Sequence, residues 1–230
     1  MLHQTQVPRV AAVFDAFLAR FPSPAAMAAA SVGDVITAWG RLGYPRRARR
    51  LWEAARVIDA DGWPDALATL PGIGRYTAAA VDAQVDDVDV PAIEVNTRRV
   101  LQRVVGERLG DRAAEAAMVR VGRGLHGRDR LLAFMDLGAM VCRPRAPRCD
   151  ECPLRPRCAT RGPLDGEARA TQARFEGSFR QRRGRVMAVL REAPSPVADL
   201  DADALASLVA DGLATITDGI DGDGPTARLP

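Results

Sequence analysis

Four cysteines, Cys142, Cys149, Cys152 and Cys158, fall within seventeen residues at the spacing C-x6-C-x2-C-x5-C, and the 230-residue chain holds no other. Thiols gathered in one loop with none to spare look like the ligand set of a single metal centre. Thiolates bind iron–sulfur clusters and zinc, and a four-cysteine set suits a [4Fe–4S] cube. A structural zinc site more often uses two C-x2-4-C knuckles, and only Cys149–Cys152 forms one here. Two disulfides or four unrelated thiols are the remaining readings. The opening residues MLHQTQVPRV show no cationic stretch followed by an apolar run. Nothing therefore points to export, which argues against disulfides.

The remaining composition narrows the partners. At 47% hydrophobic the chain is long and apolar enough for one or two domains with a core. No stretch approaches the roughly 20 apolar residues that span a bilayer, so a cytoplasmic protein without a membrane partner is expected. Net charge is only +3, but all 32 basic residues are arginine. With no lysine, no lysine amine exists to form a Schiff base. Arginines cluster at Arg46, Arg47, Arg49 and Arg50, around the cysteines, and at Arg180, Arg182, Arg183 and Arg185. The tail after Asp199 is acidic. A charge run is usually a solvated face. Three arginine clusters, one around the cysteine loop, favour phosphate binding.

Alanine-rich amphipathic patterns with Pro and Gly breaks dominate up to residue 142. Val10, Val13, Phe14, Phe17 and Leu18 recur at helical spacing. Ser23-Pro24 and Ser31 read as helix starts, and Pro45 opens a helix through Ile58. Further helices are expected over 74–85, 96–105, 111–123 and 128–140. A polar linker follows the cysteine loop. Helices at Arg180–Leu190 and Asp203–Asp211 and a ribbon of Leu213–Thr217 with Thr226–Leu229 resemble a small winged helix; a flexible tail is the alternative.

Leu70-Pro71-Gly72-Ile73-Gly74-Arg75-Tyr76-Thr77-Ala78 lies between two helical patterns. Gly72 and Gly74 allow a tight turn and close backbone approach to a ligand. The next helix begins there, so its free N–H groups and positive dipole end point at the same place. Such a helix-hairpin-helix holds a phosphate without reading a base. Gly72, Gly74, Arg75 and Thr77 are the candidate DNA contacts.

Taken with Pro91-Ala92-Ile93-Glu94-Val95-Asn96-Thr97-Arg98-Arg99-Val100, with Met135–Cys142 and with the four cysteines, this motif resembles the helix-hairpin-helix base-excision glycosylases. Within them the chain is similar to the adenine (MutY) type, whose MLQQTQV segment matches Met1–Val7. The resemblance covers about residues 1–160. It implies an all-α fold: a helical barrel over 1–125 with the hairpin at about 66–86, a cluster-bearing part over 126–160, a linker over 161–177 and a C-terminal extension over 178–230. That extension looks like the short one of some bacterial members, not their Nudix-like domain.

The family extrudes adenine mispaired with 8-oxoguanine or guanine from duplex DNA and hydrolyses its N-glycosidic bond. The resemblance therefore implies a monomeric, nucleoid-associated repair hydrolase with a [4Fe–4S] cluster on the four cysteines. Glu94 stands where the family has the aspartate that stabilises the sugar cation; it is one methylene longer. Asn96 matches an active-site asparagine and would also serve as a helix N-cap. Tyr76 replaces the lysine nucleophile of endonuclease III, which marks the monofunctional branch. Gln4 matches a glutamine that enters the duplex, and Arg143, Arg145 and Arg148 of the cysteine loop would reach phosphates. The family's adenine-protonating glutamate lies two residues ahead of the methionine with which this sequence opens. Its absence from these 230 residues leaves a catalytically impaired DNA-binding homologue as the alternative to an active enzyme. A metal-stabilised winged-helix regulator is a third reading, which the hairpin and Glu94–Asn96 disfavour.

Overall fold

The computed structural model describes residues 1–2, 5–167, 174–218 and 224–230. Gln4 lies outside them. The chain forms two compact units: residues Met1–Asp65 with Thr69–Gly72 and Gln172–Pro230, and residues Ala66–Ala68 with Ile73–Thr171. Neither follows the expected breaks near 125, 160 and 177. The reason is packing, because the two ends of the sequence share one core.

In the first unit α1 (Val7–Arg20) starts on Pro8 within its first turn, where a missing N–H costs nothing. Ser23 and Ser31 cap α2 (Pro24–Ala28) and α3 (Val32–Trp39), each accepting from a main-chain N–H three residues on. Helix α4 (Arg46–Asp61) ends at Gly62 with φ 82°. Val35, Ile36 and Trp39 of α3 are buried with Val10, Phe17 and Phe21. Phe17 and Trp39 meet edge-on at 6.0 Å.

The same core takes in Val186, Met187 and Leu190 of α9 (Phe179–Glu192) and Ala204, Leu205 and Leu208 of α10 (Ala202–Ala210). The C-terminal segment is thus no flexible tail. Its strands β1 (Ser195–Pro196), β2 (Thr215–Thr217) and β3 (Thr226–Arg228) form an antiparallel sheet in the order β1-β3-β2, with Ile216 opposite Ala227. Helix, strand, helix and hairpin make the winged-helix arrangement expected from sequence, plus the short β1. Polar ties add to the apolar ones. Asp211 pairs with Arg183 at 2.5 Å and Arg46 at 3.3 Å, and its carbonyl accepts from Arg49 at 2.6 Å. At the far end Gly33 N donates to Pro230 O at 2.7 Å.

The second unit packs α5 (Arg75–Val85), α6 (Val95–Val105), α7 (Asp111–Val121) and α8 (Gly127–Asp136) around Val100, Leu101, Met118, Leu131 and Phe134. Alanines 79, 80, 83, 114 and 117 line the same core, so α5 and α7 present small side chains to it. The helix expected over 128–140 changes at Leu137 into a π-helical turn, Leu137–Val141, closed by Cys142 N donating to Leu137 O at 2.6 Å. Such turns often mark functional positions. Among the described residues no helix is long and apolar enough to cross a membrane.

Candidate active site and metal centre

The two hairpin glycines have different reasons to be glycine. Gly72 has φ 78°, and a Cβ there would stand 2.6 Å from Arg50 Cβ. Both conformation and space demand glycine. Gly74 is extended at φ −90° and caps α5 without a side chain, and a Cβ on it would meet nothing within 4 Å. Glycine is therefore not needed there for the turn. It leaves the helix start bare, with Thr77 half-buried in the first turn. Arg75 is mostly exposed and pairs with Glu115 at 2.6 Å.

Tyr76, Glu94 and Asn96 come together in the second unit. Glu94, not Asn96, is the N-cap of α6. The competition is local: the longer Glu94 side chain turns back onto its own helix and takes the orphan donors. Glu94 Oε1 accepts from Asn96 N at 2.7 Å and Thr97 N at 2.9 Å, while Oε2 accepts from Asn96 Nδ2 at 3.2 Å. Thr97 completes a capping box by accepting from Glu94 N at 2.9 Å. The carboxylate is thereby fixed at a helix N-terminus by three N–H donors. Tyr76 is half-buried, its hydroxyl 3.8 Å from Met135 Sδ. Burial first, and the nearby charge of Glu94 second, push its phenol above the usual value of 10.0. It stays protonated at neutral pH.

Asn96 is itself held from both sides. Its Oδ1 accepts from Arg99 Nη2 at 2.9 Å, and that guanidinium also donates to Gly138 O at 2.7 Å and Cys142 O at 2.9 Å. Gly138 has no room for a side chain: a Cβ would lie 2.9 Å from Asn96 Cβ. Arg99 and Arg103, both buried, are functional candidates that the motifs alone do not single out. The signal was the spacing Asn96, Arg99, Arg103, which lays a polar stripe along one helix face.

None of the four cysteines is in a disulfide. All four line one small cavity, together with Arg103 and Val141. Burial raises the thiol of Cys142 against the opposing pull of the Arg103 guanidinium, and burial, then Cys158 and Cys152, raise that of Cys149. Among the described residues no three His, Cys, Asp or Glu side chains stand close enough to hold one ion. Four thiols lining one space are the all-cysteine donor set that a [4Fe–4S] group takes. Of the loop arginines, Arg143 turns inward and donates to Ala146 O at 3.1 Å. Arg148 is exposed and pairs with Glu151 at 3.2 Å, and Arg145 is exposed.

Comparison with known proteins adds the following. Residues 1–121 match the HhH-GPD superfamily base excision DNA repair protein model. The chain is 42% identical to the adenine DNA glycosylase of Mycobacterium tuberculosis, over 94% of this chain and 80% of that one. It is 40% identical to that of Mycolicibacterium smegmatis, over 99% and 87%. Among solved structures, a thermostable thymine-DNA glycosylase matches at TM-score 0.61 and 27% identity, covering 69% of this chain and 78% of that one. A trapped endonuclease III–DNA covalent intermediate matches at TM-score 0.60 and 22% identity, over 70% and 79%, a likeness of fold alone.

Proposed function

The chain belongs to the HhH-GPD superfamily of base excision DNA repair proteins, and from that premise we propose that it is a monofunctional adenine DNA glycosylase acting on A:8-oxoguanine and A:G mispairs. The observation that carries the reading is the fixed Glu94 carboxylate, grouped with Asn96 and Tyr76 at the starts of α5 and α6. Hydrolysis of an extruded deoxyadenosine breaks the bond from C1′ to the base; water gives its hydroxyl to C1′ and, in net, its proton to the departing adenine. Positive charge develops on the sugar as the bond lengthens. A carboxylate already held by three donors reorganises little when that charge appears. Asn96, locked between Glu94 and Arg99, keeps one orientation in the site. Tyr76 has no amine to offer, so no Schiff base with the sugar forms and the strand stays intact.

Gly72, Gly74, Arg75 and Thr77 bind phosphate at the bare start of α5, and Arg145 and Arg148 supply further cationic contacts. Cys142, Cys149, Cys152 and Cys158 would hold a [4Fe–4S] cluster, which frames the loop carrying those arginines. Gln4 is proposed to enter the duplex beside the extruded base.

The test is a single-turnover assay on labelled duplexes. We expect free adenine and an abasic strand that breaks only after alkali, from A:8-oxoguanine and A:G but not A:T, with no adduct trapped by borohydride. Strand cleavage without alkali, or equal release from A:T, defeats the proposal.

A further inference from the structure

Arg103 in α6 is 1% exposed, and its guanidinium is saturated with partners from two other parts of the second unit. Nε and Nη2 donate to the two oxygens of Glu167, at 2.9 and 3.0 Å. Nη1 donates to Arg143 O at 2.9 Å and faces Cys142 Sγ at 3.5 Å, and Nη2 also reaches Pro144 O at 3.4 Å. Glu167 lies beyond the last cysteine, in a stretch that the sequence reads as linker. It is anchored in turn, accepting from Leu164 N at 3.0 Å. The segment between returns to the same helix: Ala159 N donates to Val104 O at 3.0 Å and Thr160 N to Arg103 O at 3.3 Å. One buried fork thus joins α6, the chain leaving the first cysteine and the chain leaving the fourth.

We propose that the Arg103–Glu167 pair is a latch that closes the cysteine loop over its metal group and sets the reduction potential of that group. The proposal rests on the iron–sulfur reading of the four cysteines. Its physical basis is charge. A cluster on four thiolates is anionic, and a buried guanidinium beside one sulfur offsets part of that charge while Glu167 opposes the guanidinium. The two members of the pair therefore push the cluster in opposite directions. Removing the Glu167 charge leaves Arg103 unopposed, favours the more negative reduced form and raises the midpoint. Removing the Arg103 charge lowers it. In each case one electron passes between the cluster and an electrode. A residue that merely shapes the loop would not give opposite signs.

The experiment compares wild type, Glu167→Gln, Arg103→Gln and Arg103→Lys as full chains. Iron release to a chelator is followed by loss of visible absorbance, and the midpoint is read by film voltammetry. Iron should leave Glu167→Gln roughly tenfold faster than wild type, as expected when hydrogen bonds to a charged group are lost. Its midpoint should rise, and that of Arg103→Gln should fall. Arg103→Lys should release iron faster yet keep the wild-type midpoint, since it retains the charge without the fork. If Arg103→Gln does not fold, the rise in Glu167→Gln decides the matter, because Glu167 sits at the edge with 23% of its side chain exposed. Wild-type protein without iron overturns the cluster reading and the latch together. Iron-loaded wild type with variants that match it in retention and midpoint overturns the latch alone.

Discussion

Glutamine at position 94 keeps the shape of the side chain and removes its charge, which separates two roles that coincide in Glu94. Its carbonyl oxygen can still accept from Asn96 N and Thr97 N, the two contacts made by Oε1 at 2.7 and 2.9 Å. What is lost is the charge at the helix start, about 0.3–1 kcal/mol, and the contact to Asn96 Nδ2. For a unit of about 100 residues this lowers the melting temperature by a few degrees, at roughly 4–8 °C per kcal/mol. Catalysis should suffer far more. Removing one preorganised group that faces transition-state charge costs about 100- to 1,000-fold. Glu94→Ala should match that catalytic loss and also forfeit the whole cap, about 0.5–2 kcal/mol. Adenine release is measured with enzyme in excess over an A:8-oxoguanine duplex, alongside thermal melts and duplex binding by fluorescence anisotropy. Glutamine should give a deep loss of rate with a small loss of stability and unchanged binding. Wild-type release in Glu94→Gln, or rate losses in both variants that merely follow their stability losses, would refute the reasoning and leave Glu94 as a cap alone.

Anaerobically purified protein should be brown, absorb near roughly 400 nm and carry about four irons per chain; stoichiometric zinc without iron contradicts this. Cys149→Ser should lose the cluster and weaken duplex binding, because Arg145 and Arg148 lose their frame. Duplex affinity should fall steeply between roughly 50 and 200 mM salt, and Gly74→Asp should abolish it by setting a carboxylate where a phosphate binds; flat salt dependence refutes the phosphate reading. Acid stability should depend on Asp34, whose carboxyl is held below its usual 3.8, first by the Ser31 hydroxyl, against burial, and then by Arg20. A lowered folded value stabilises fully above the unfolded one and is lost as pH falls through the folded one. Asp34→Asn should therefore melt below wild type at neutral pH and converge with it as the pH falls below the usual 3.8.

The features legible in the sequence were local ones. Ser23 and Ser31 announce their helices because a cap is settled within three residues. The cysteine loop and the glycine turn are equally local. That Glu94 and not Asn96 caps α6 was not legible, because the two compete for the same donors and only geometry decides. Arg99 and Arg103 look like solvated charges in α6. Their burial depends on acceptors far along the chain, Gly138 O at 39 residues and Glu167 at 64. The fate of the C-terminal segment was illegible for the same reason. Whether Leu190 or Leu205 is buried depends on Val10, Phe17 and Ile36 near the other end.

That shared core has a consequence for the order in which the protein is made. The second unit is nearly continuous, Ile73–Thr171, and all its partners have left the ribosome once that stretch has emerged. Helices α1 to α4 are synthesised first but cannot bury Val35, Ile36 or Trp39 as in the finished molecule until Leu205 and Leu208 arrive. At roughly 5–20 residues per second, that wait lasts on the order of ten to thirty seconds. During it the oldest part of the chain exposes its most apolar helix, while the younger cysteine loop is already framed. Nascent-chain handling should therefore matter more for the first sixty residues than for the cysteine-bearing middle.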